Sequence, residues 1–395
     1  MKNLLIELEN INERINNHLK LINRKGGLLD DLGGITLFKF YYGRYKNNPD
    51  DISVANSLVD IIINNIQASA YHNIKYSNGS AGLGWLLKHL KKEDFIDFES
   101  GDIFSDLDEI ILEYSIKELE KGNYDFLHGA MGGLHYFLED VPNLPSIQII
   151  CSKLDETKHQ AHNKYSFWPF YNILDHTIHE ETINLGLSHG QPSIVSILAS
   201  VYKIFPQKNL KKLLEDAVQT VLFCKNTSGS YSIFPPRFII SQGTKNHTSR
   251  MAWCYGDPGI ACSLWNAGEA LNNKVLKKNA LECINNSLNR KSLTANLIKD
   301  AGLCHGSAGI LQIFNSFANK TNNKSIENII PYWQGVTTEL INTNTEEVPS
   351  GFSAWNEKNG YYNDFGLLQG LSGIGLALLS LADDNSFNWQ RALLI

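Results

Sequence analysis

No run of eighteen apolar residues occurs in the 395-residue chain, which excludes a membrane-spanning helix from the reading. Nor is there a surplus of positive charge. Lys and Arg number 35 against 41 Asp and Glu, for a formal net charge of −6, and no basic patch emerges to hold nucleic acid. The start of the chain, residues 1–24, is polar and amphipathic and lacks the apolar core of a secretion signal. A cytoplasmic protein is therefore expected, with any contact to a membrane made through partners. Cysteine is scarce as well. Six cysteines in this length cannot staple a disulfide scaffold, and in a reducing compartment cysteines near histidines point to metal or catalysis. The His-Glu-x-x-His signature and the zinc deaminase pattern are both missing. Strand signal is confined to 231–234 and 238–240, split by Pro235 and Pro236.

What the chain does have is a repeat. A turn, a Gly-x-x-Gly and an apolar helix recur seven times, at intervals of roughly 50 to 65 residues. The stretches begin at Asp31, Gly79, Gly129, Gly190, Gly256, Gly306 and Gly370; the first lacks its leading glycine, and the fourth has Ser193 in place of its trailing one. Apolar residues follow at helical spacing, as at Ile310, Leu311, Phe314 and Phe317. Further helices are expected over 54–70, 106–120, 210–224 and 329–341. The leading glycine is expected to permit a tight or left-handed entry to the helix, and the trailing one to let another backbone or helix come close. Helix pairs in tandem stack as an open solenoid or close into a ring, and an open array needs polar ends. The last repeat, 366–381, is as apolar as those in the middle. Closure is expected: an all-α fold, an α/α toroid of seven helix pairs forming a single domain over 1–395, with the glycine turns gathered at one mouth. Two stretches break the spacing, 142–184 and 226–250, and read as insertions that form a small β-containing subdomain. The aromatic run from Phe167 to Tyr171 within the first suits either a peptide-binding surface or core packing. Residues 319–323 and 342–348 read as polar connectors.

The repeat also gathers chemistry. Cys254 and Cys304 each lie two residues before a leading glycine, while His128, His189 and His305 each lie one residue before theirs. Equivalent positions in a ring converge at one mouth, so Cys254, Cys304 and His305 form a candidate zinc set of three ligands with a fourth position open. The remaining cysteines, Cys151, Cys224, Cys262 and Cys283, lie away from the motif turns and read as core filler. Two thiolates make zinc a poor Lewis acid for hydrolysis but suit it to holding a thiol as thiolate near neutral pH. Asp257, inside the fifth motif, reads as a helix N-cap.

At Trp253-Cys254-Tyr255-Gly256, Cys304-His305-Gly306 and Ser188-His189-Gly190, with Tyr124-Asp125 and Arg250 in support, the sequence resembles the lanthionine synthetase C family, the cyclases of lanthipeptide biosynthesis. The resemblance spans nearly the whole chain. It implies an α/α toroid with an inserted subdomain and zinc on Cys254, Cys304 and His305. It implies a catalytic histidine at His189, a catalytic aspartate at Asp125, and active-site roles for Arg250 and Tyr255. It implies a reaction too, in which cysteine thiols of a precursor peptide add to dehydroalanine or dehydrobutyrine to form thioether rings. The expected partners are a dehydrated precursor peptide with its leader, a separate dehydratase and an export transporter. Three other readings stand beside it: transfer of glutathione or another thiol to dehydrated residues, a non-catalytic zinc-containing scaffold that binds peptides, and an α/α-toroid glycosidase. The last would need paired carboxylates. The missing trailing glycine of the fourth motif puts the backbone near His189 in question, and His128 has no implied role.

Overall fold

The computed structural model describes residues 2–20, 26–69, 72–97, 101–243, 247–343, 354–358, 360–383 and 388–395. Parts of the expected insertion 226–250 and connector 342–348 fall outside that set, as does the end of the polar segment 1–24. The described chain is mostly helical. In order, the helices are α1 (Lys2–His18), α2 (Asp31–Lys46), α3 (Pro49–Ser69), α4 (Ser80–Lys92), α5 (Gly101–Glu120), α6 (Ala130–Phe137), α7 (Leu144–Glu156), α8 (Gln191–Ile204), α9 (Lys208–Phe223), α10 (Asp257–Ala270), α11 (Lys274–Leu288), α12 (Ser307–Thr321), α13 (Lys324–Glu327), α14 (Ile330–Asn342) and α15 (Leu371–Ala382). Among the described residues, no helix is long and apolar enough to cross a membrane.

Each of the seven motifs opens a helix: α2, α4, α6, α8, α10, α12 and α15. These are buried on nearly every face. The helices between them bury one stripe. Helix α9 buries Leu210, Leu213, Leu214, Ala217, Val218 and Val221, and α11 buries Leu276, Ala280, Cys283 and Ile284, the pattern of a helix with one wet face. The chain divides into two compact units. The first comprises Met1–Asn73, Ser77–Ile103 and Leu297–Ala392; the second comprises Ile74–Tyr76, Phe104–Asn296 and Leu393–Ile395.

In the first unit α2 packs on α3, α4 and α15, and α12 packs on α14 and α15. The first and seventh motifs are thus neighbours. The Leu367 and Leu368 amides donate to the Leu29 carbonyl at 3.0 and 3.2 Å. A Cβ on Gly34 would fall 2.3 Å from the Leu367 nitrogen. An open array leaves its terminal repeats unpartnered; here they are hydrogen-bonded to each other. A short hairpin, β7 (Ala354–Asn356) with β8 (Gly360–Tyr362), precedes the seventh motif.

In the second unit α8 packs on α6, α9 and α10, and α10 on α11. Six short strands interrupt the helices: β1 (His159–Ala161), β2 (Tyr165–Phe167), β3 (Phe170–Asn172), β4 (Thr177–His179), β5 (Thr182–Asn184) and β6 (Arg237–Ile239). They pair antiparallel as β1–β2, β3–β4 and β5–β6, and the last pair joins the two stretches that broke the repeat. The aromatic run is core. Phe167, Trp168, Phe170 and Tyr171 are buried, and the Trp168 indole donates to the Leu154 carbonyl at 3.0 Å. The expected strand at 231–234 does not form, for a reason found in the fifth motif.

The trailing glycines have a common cause, and it is more local than expected. A Cβ on Gly309 would meet the Leu303 carbonyl oxygen at 1.9 Å, on Gly373 that of Leu367 at 1.8 Å, and on Gly259 that of Trp253 at 2.3 Å. Each glycine makes room for the carbonyl of its own turn. In the fourth motif the Ser193 hydroxyl instead donates to the Gly190 carbonyl at 2.7 Å. Gly190 keeps φ −137° and ψ −169°, close to Gly79 at −130° and −168°, so the backbone near His189 is undisturbed. Left-handed entry is not general either: among these N-cap glycines only Gly256, at φ 132°, has positive φ.

Candidate functional site

His189 stands one residue before the N-cap of α8, in the second unit. Its Nδ1 lies 2.6 Å from Asp125 Oδ2. Asp125 is 2% exposed, and its other oxygen accepts the amides of Leu127 and His128 at 2.7 and 2.8 Å. An ionised carboxylate only accepts, so Nδ1 carries the shared proton and Nε2 is the nitrogen left for other chemistry. Burial would raise the Asp125 pKa, but the charge and hydrogen bond of His189 bring it below the usual carboxylate value. For His189, burial would lower the pKa; the Asp125 charge and hydrogen bond outweigh it and raise the imidazole above the ordinary histidine value. The two directions agree and describe an ion pair.

His128 lies nearly parallel to His189, ring centroids 5.6 Å apart. Burial pushes its pKa down to about 4. Two stacked imidazoles beside one carboxylate are therefore pushed in opposite directions, His189 towards its protonated form and His128 towards its neutral one.

The fifth motif supplies Cys254, Tyr255 and Arg250 to the same unit. The Cys254 carbonyl accepts from the Ser188 hydroxyl at 3.4 Å, tying the cysteine's turn to that of His189. The Tyr255 ring lies 6.3 Å from the His189 ring, and its hydroxyl oxygen accepts from the Asn184 amide at 2.9 Å. Burial raises the Tyr255 phenol well above its usual range, so it stays neutral. Arg250 is half-buried, and a Cβ on Gly256 would lie 2.1 Å from its carbonyl oxygen.

Asp257 does not cap its helix. It is buried, and it accepts the amides of Ile233 and Phe234 at 2.9 and 3.0 Å and side-chain bonds from Asn286 at 3.2 Å and Arg290 at 3.3 Å. Those two amides serve a carboxylate and not a strand ladder, which explains the missing strand. Arg290 in turn donates to the Ser249 carbonyl at 2.7 Å, beside Arg250.

The sixth motif, in the first unit, supplies Cys304 and His305. The Cys304 amide donates to the Leu368 carbonyl at 2.9 Å, and His305 Nε2 lies 3.2 Å from the Trp355 carbonyl on β7. The other four cysteines are buried and free of disulfides. Burial pushes the Cys151 thiol up to about 12 and raises Cys224 and Cys283 further.

The sequence reading missed Asn184, whose signal was present. Six residues before the leading glycine stand Asn73, Asn123, Asn184, Asp300 and Asp364. Four of them bond the amide two residues on, at Asp125, Gly186, Gly302 and Gly366, an Asx turn repeated around the motifs. In the fifth motif this slot holds Arg250.

Residues 26–394 match the family model described as lanthionine synthetase C-like protein. The chain belongs to that family. Among curated proteins, this lanthionine synthetase C-like chain is 25% identical over 342 residues to the nisin biosynthesis protein NisC of Lactococcus lactis subsp. lactis, covering 80% of the chain and 76% of that protein. Among solved structures it matches one named nisin cyclase with a TM-score of 0.76 at 18% identity, covering 100% of this chain and 98% of that one. The fold class is accordingly all-α, the α/α toroid expected from the repeat, with its small β-containing subdomain.

Proposed function

We propose that the chain is a zinc-dependent lanthipeptide cyclase. It would add cysteine thiols of a dehydrated precursor peptide to dehydroalanine or dehydrobutyrine, forming lanthionine and methyllanthionine rings. The observation that carries the reading is the His189–Asp125 ion pair, set in a turn that is hydrogen-bonded to that of Cys254. Membership of the family supports it.

The donor chemistry fits zinc. The zinc would be held by Cys254, Cys304 and His305, two thiolates and an imidazole with room for one further ligand. Bound there, zinc would lower the pKa of a substrate thiol and hold it as thiolate near neutral pH.

The chain's own residues handle the proton. When sulfur bonds to the β-carbon of a dehydro residue, the π electrons move towards the carbonyl oxygen as an enolate, and a proton must then reach Cα. His189, kept protonated by Asp125, donates it from Nε2, and a donor with a pKa near the working pH does this best. Asp125 stays ionised and fixed by two backbone amides, so the ring cannot turn. Arg250 offers positive charge to the enolate oxygen, and Tyr255, steered by Asn184, shapes the wall of the site. A separate dehydratase acting on Ser and Thr would supply the substrate, and a transporter would export the product.

The test supplies a dehydrated precursor peptide with free cysteines and follows thiol alkylation by mass spectrometry, with metal content measured alongside. The expected outcome is loss of free thiols without change in peptide mass, and one zinc per chain that is lost in Cys304→Ala. Thiols that stay free in the presence of the zinc-loaded protein would overturn the cyclase reading in favour of a scaffold.

A further inference from the structure

We propose that Asp300 is a positioning residue for His305, acting with the β7–β8 hairpin to leave Nδ1 as the nitrogen that binds metal. The inference rests on the zinc-cyclase reading and adds to it which nitrogen ligates and what holds the ring.

Asp300 is buried, its side chain 2% exposed, and its two oxygens differ in use. Oδ1 accepts the Gly302 amide at 2.9 Å, closing the Asx turn common to the motifs. Oδ2 accepts the Trp355 amide at 2.9 Å and lies 3.5 Å from His305 Nε2. The Trp355 carbonyl lies 3.2 Å from the same nitrogen. Both neighbours of Nε2 are thus acceptors. A carbonyl and an ionised carboxylate have no proton to give, so Nε2 carries the ring hydrogen and donates it. Neutral imidazole has one N–H, and the lone pair is therefore on Nδ1. Metal-bound histidines characteristically give their other N–H to a carboxylate or a backbone carbonyl, which fixes both tautomer and ring angle. The sixth motif has that arrangement built in.

The hairpin is itself held to the segment that carries Asp300. The Lys299 ammonium sits 3.3 Å from the centre of the Trp355 ring, and the Tyr361 hydroxyl donates to the Lys299 carbonyl at 3.3 Å. The carbonyl that orients His305 is therefore anchored one residue from the carboxylate that does the same.

The seventh motif is an internal control. Asp364 holds the same slot and makes the same Asx bond, to the Gly366 amide at 2.8 Å. The position equivalent to His305 is Gln369. The turn needs one carboxylate oxygen in both motifs; only in the sixth does the second oxygen face an imidazole.

The experiment titrates zinc against a chelator near neutral pH, using the full chain as wild type, Asp300→Asn, Asp364→Asn and Cys304→Ala. In parallel, 15N NMR of histidine-labelled, metal-free wild type reads the His305 tautomer. Asp300→Asn keeps an oxygen for the Gly302 amide and loses the charge beside His305. It is expected to weaken zinc binding roughly 10- to 100-fold, while Asp364→Asn binds like wild type and the metal-free protein shows His305 protonated on Nε2. Equal zinc affinity in Asp300→Asn and wild type, or an equal loss in Asp364→Asn, would overturn the positioning role while leaving the zinc reading intact. A wild type that binds no zinc, or a Cys304→Ala protein that keeps it, would overturn both. Should Asp300→Asn fail to fold, the tautomer decides, since a His305 protonated on Nδ1 contradicts the proposal without any variant.

Discussion

In the fourth motif turn, Asn184 accepts the amide of Gly186 and the leading glycine is extended; in the fifth, Arg250 takes the asparagine's place and the leading glycine turns to φ 132°. The side chain that normally braces the turn has been replaced by one that cannot accept a hydrogen bond. The lost brace is replaced from outside the turn. Asp257 gathers the amides of Ile233 and Phe234, and Arg290 ties Asp257 to the Ser249 carbonyl. A repeat supplies a default turn, and where an arginine takes the bracing slot the structural duty is taken over elsewhere. The fourth motif kept its brace and carries His189, the proposed proton donor, at a position the turn does not use.

That contrast can be broken from either side. The largest effect is expected in the fourth turn: His189→Ala should slow cyclisation by about 10²- to 10⁴-fold while zinc content holds, measured by rate of thiol loss and by metal analysis. In the fifth turn the penalty should fall on folding. Asp257→Ala leaves the Arg290 guanidinium buried without its carboxylate, and breaking such a pair costs about 3–5 kcal/mol, read from the midpoint of chemical denaturation. Asp125→Asn sharpens the fourth turn by pH. The Asp125 charge raises the His189 pKa against the opposing pull of burial, so without it His189 loses its proton at lower pH. The alkaline limb of the rate profile should move down the pH scale. The stabilisation from the raised histidine is complete below the ordinary histidine pKa and is lost as pH rises through the folded value; that from the lowered Asp125 is lost as pH falls through its own. Both should vanish from the pH dependence of the variant's stability. The smallest effect is expected for Ser193→Gly, which restores the glycine of the other motifs at the cost of one hydrogen bond, about 1 kcal/mol, with cyclisation unchanged.

Much of this was legible in the sequence because the repeat is local. Glycine spacing and helical periodicity located all seven motif helices, and the helices expected over 210–224 and 329–341 lie within a residue or two of α9 and α14. The position of each candidate residue relative to its glycine led to the expectation that the motif turns converge, and the turns of His189 and Cys254 are hydrogen-bonded to each other. What escaped was long-range. Asp257 looked like a helix cap because its partners, Ile233 and Arg290, are distant in sequence. The stretch 231–234 looked like a strand because periodicity cannot show that its amides go to a carboxylate. The strands of the first insertion are three residues each, too short for alternation to declare itself. Asn184 and Asp300 could have been found by aligning the repeats one turn further upstream, where Asx recurs six residues before glycine.

The bond from the Leu367 amide to the Leu29 carbonyl also bears on how the chain is made. During synthesis the first motif emerges early and must wait, its turn edge unpaired, until the seventh has left the ribosome. A stacked array can gain order one repeat at a time; the first unit here is finished only by its last-made segment. Truncation before that segment would remove more than one repeat's worth of stability, because it also undoes the first.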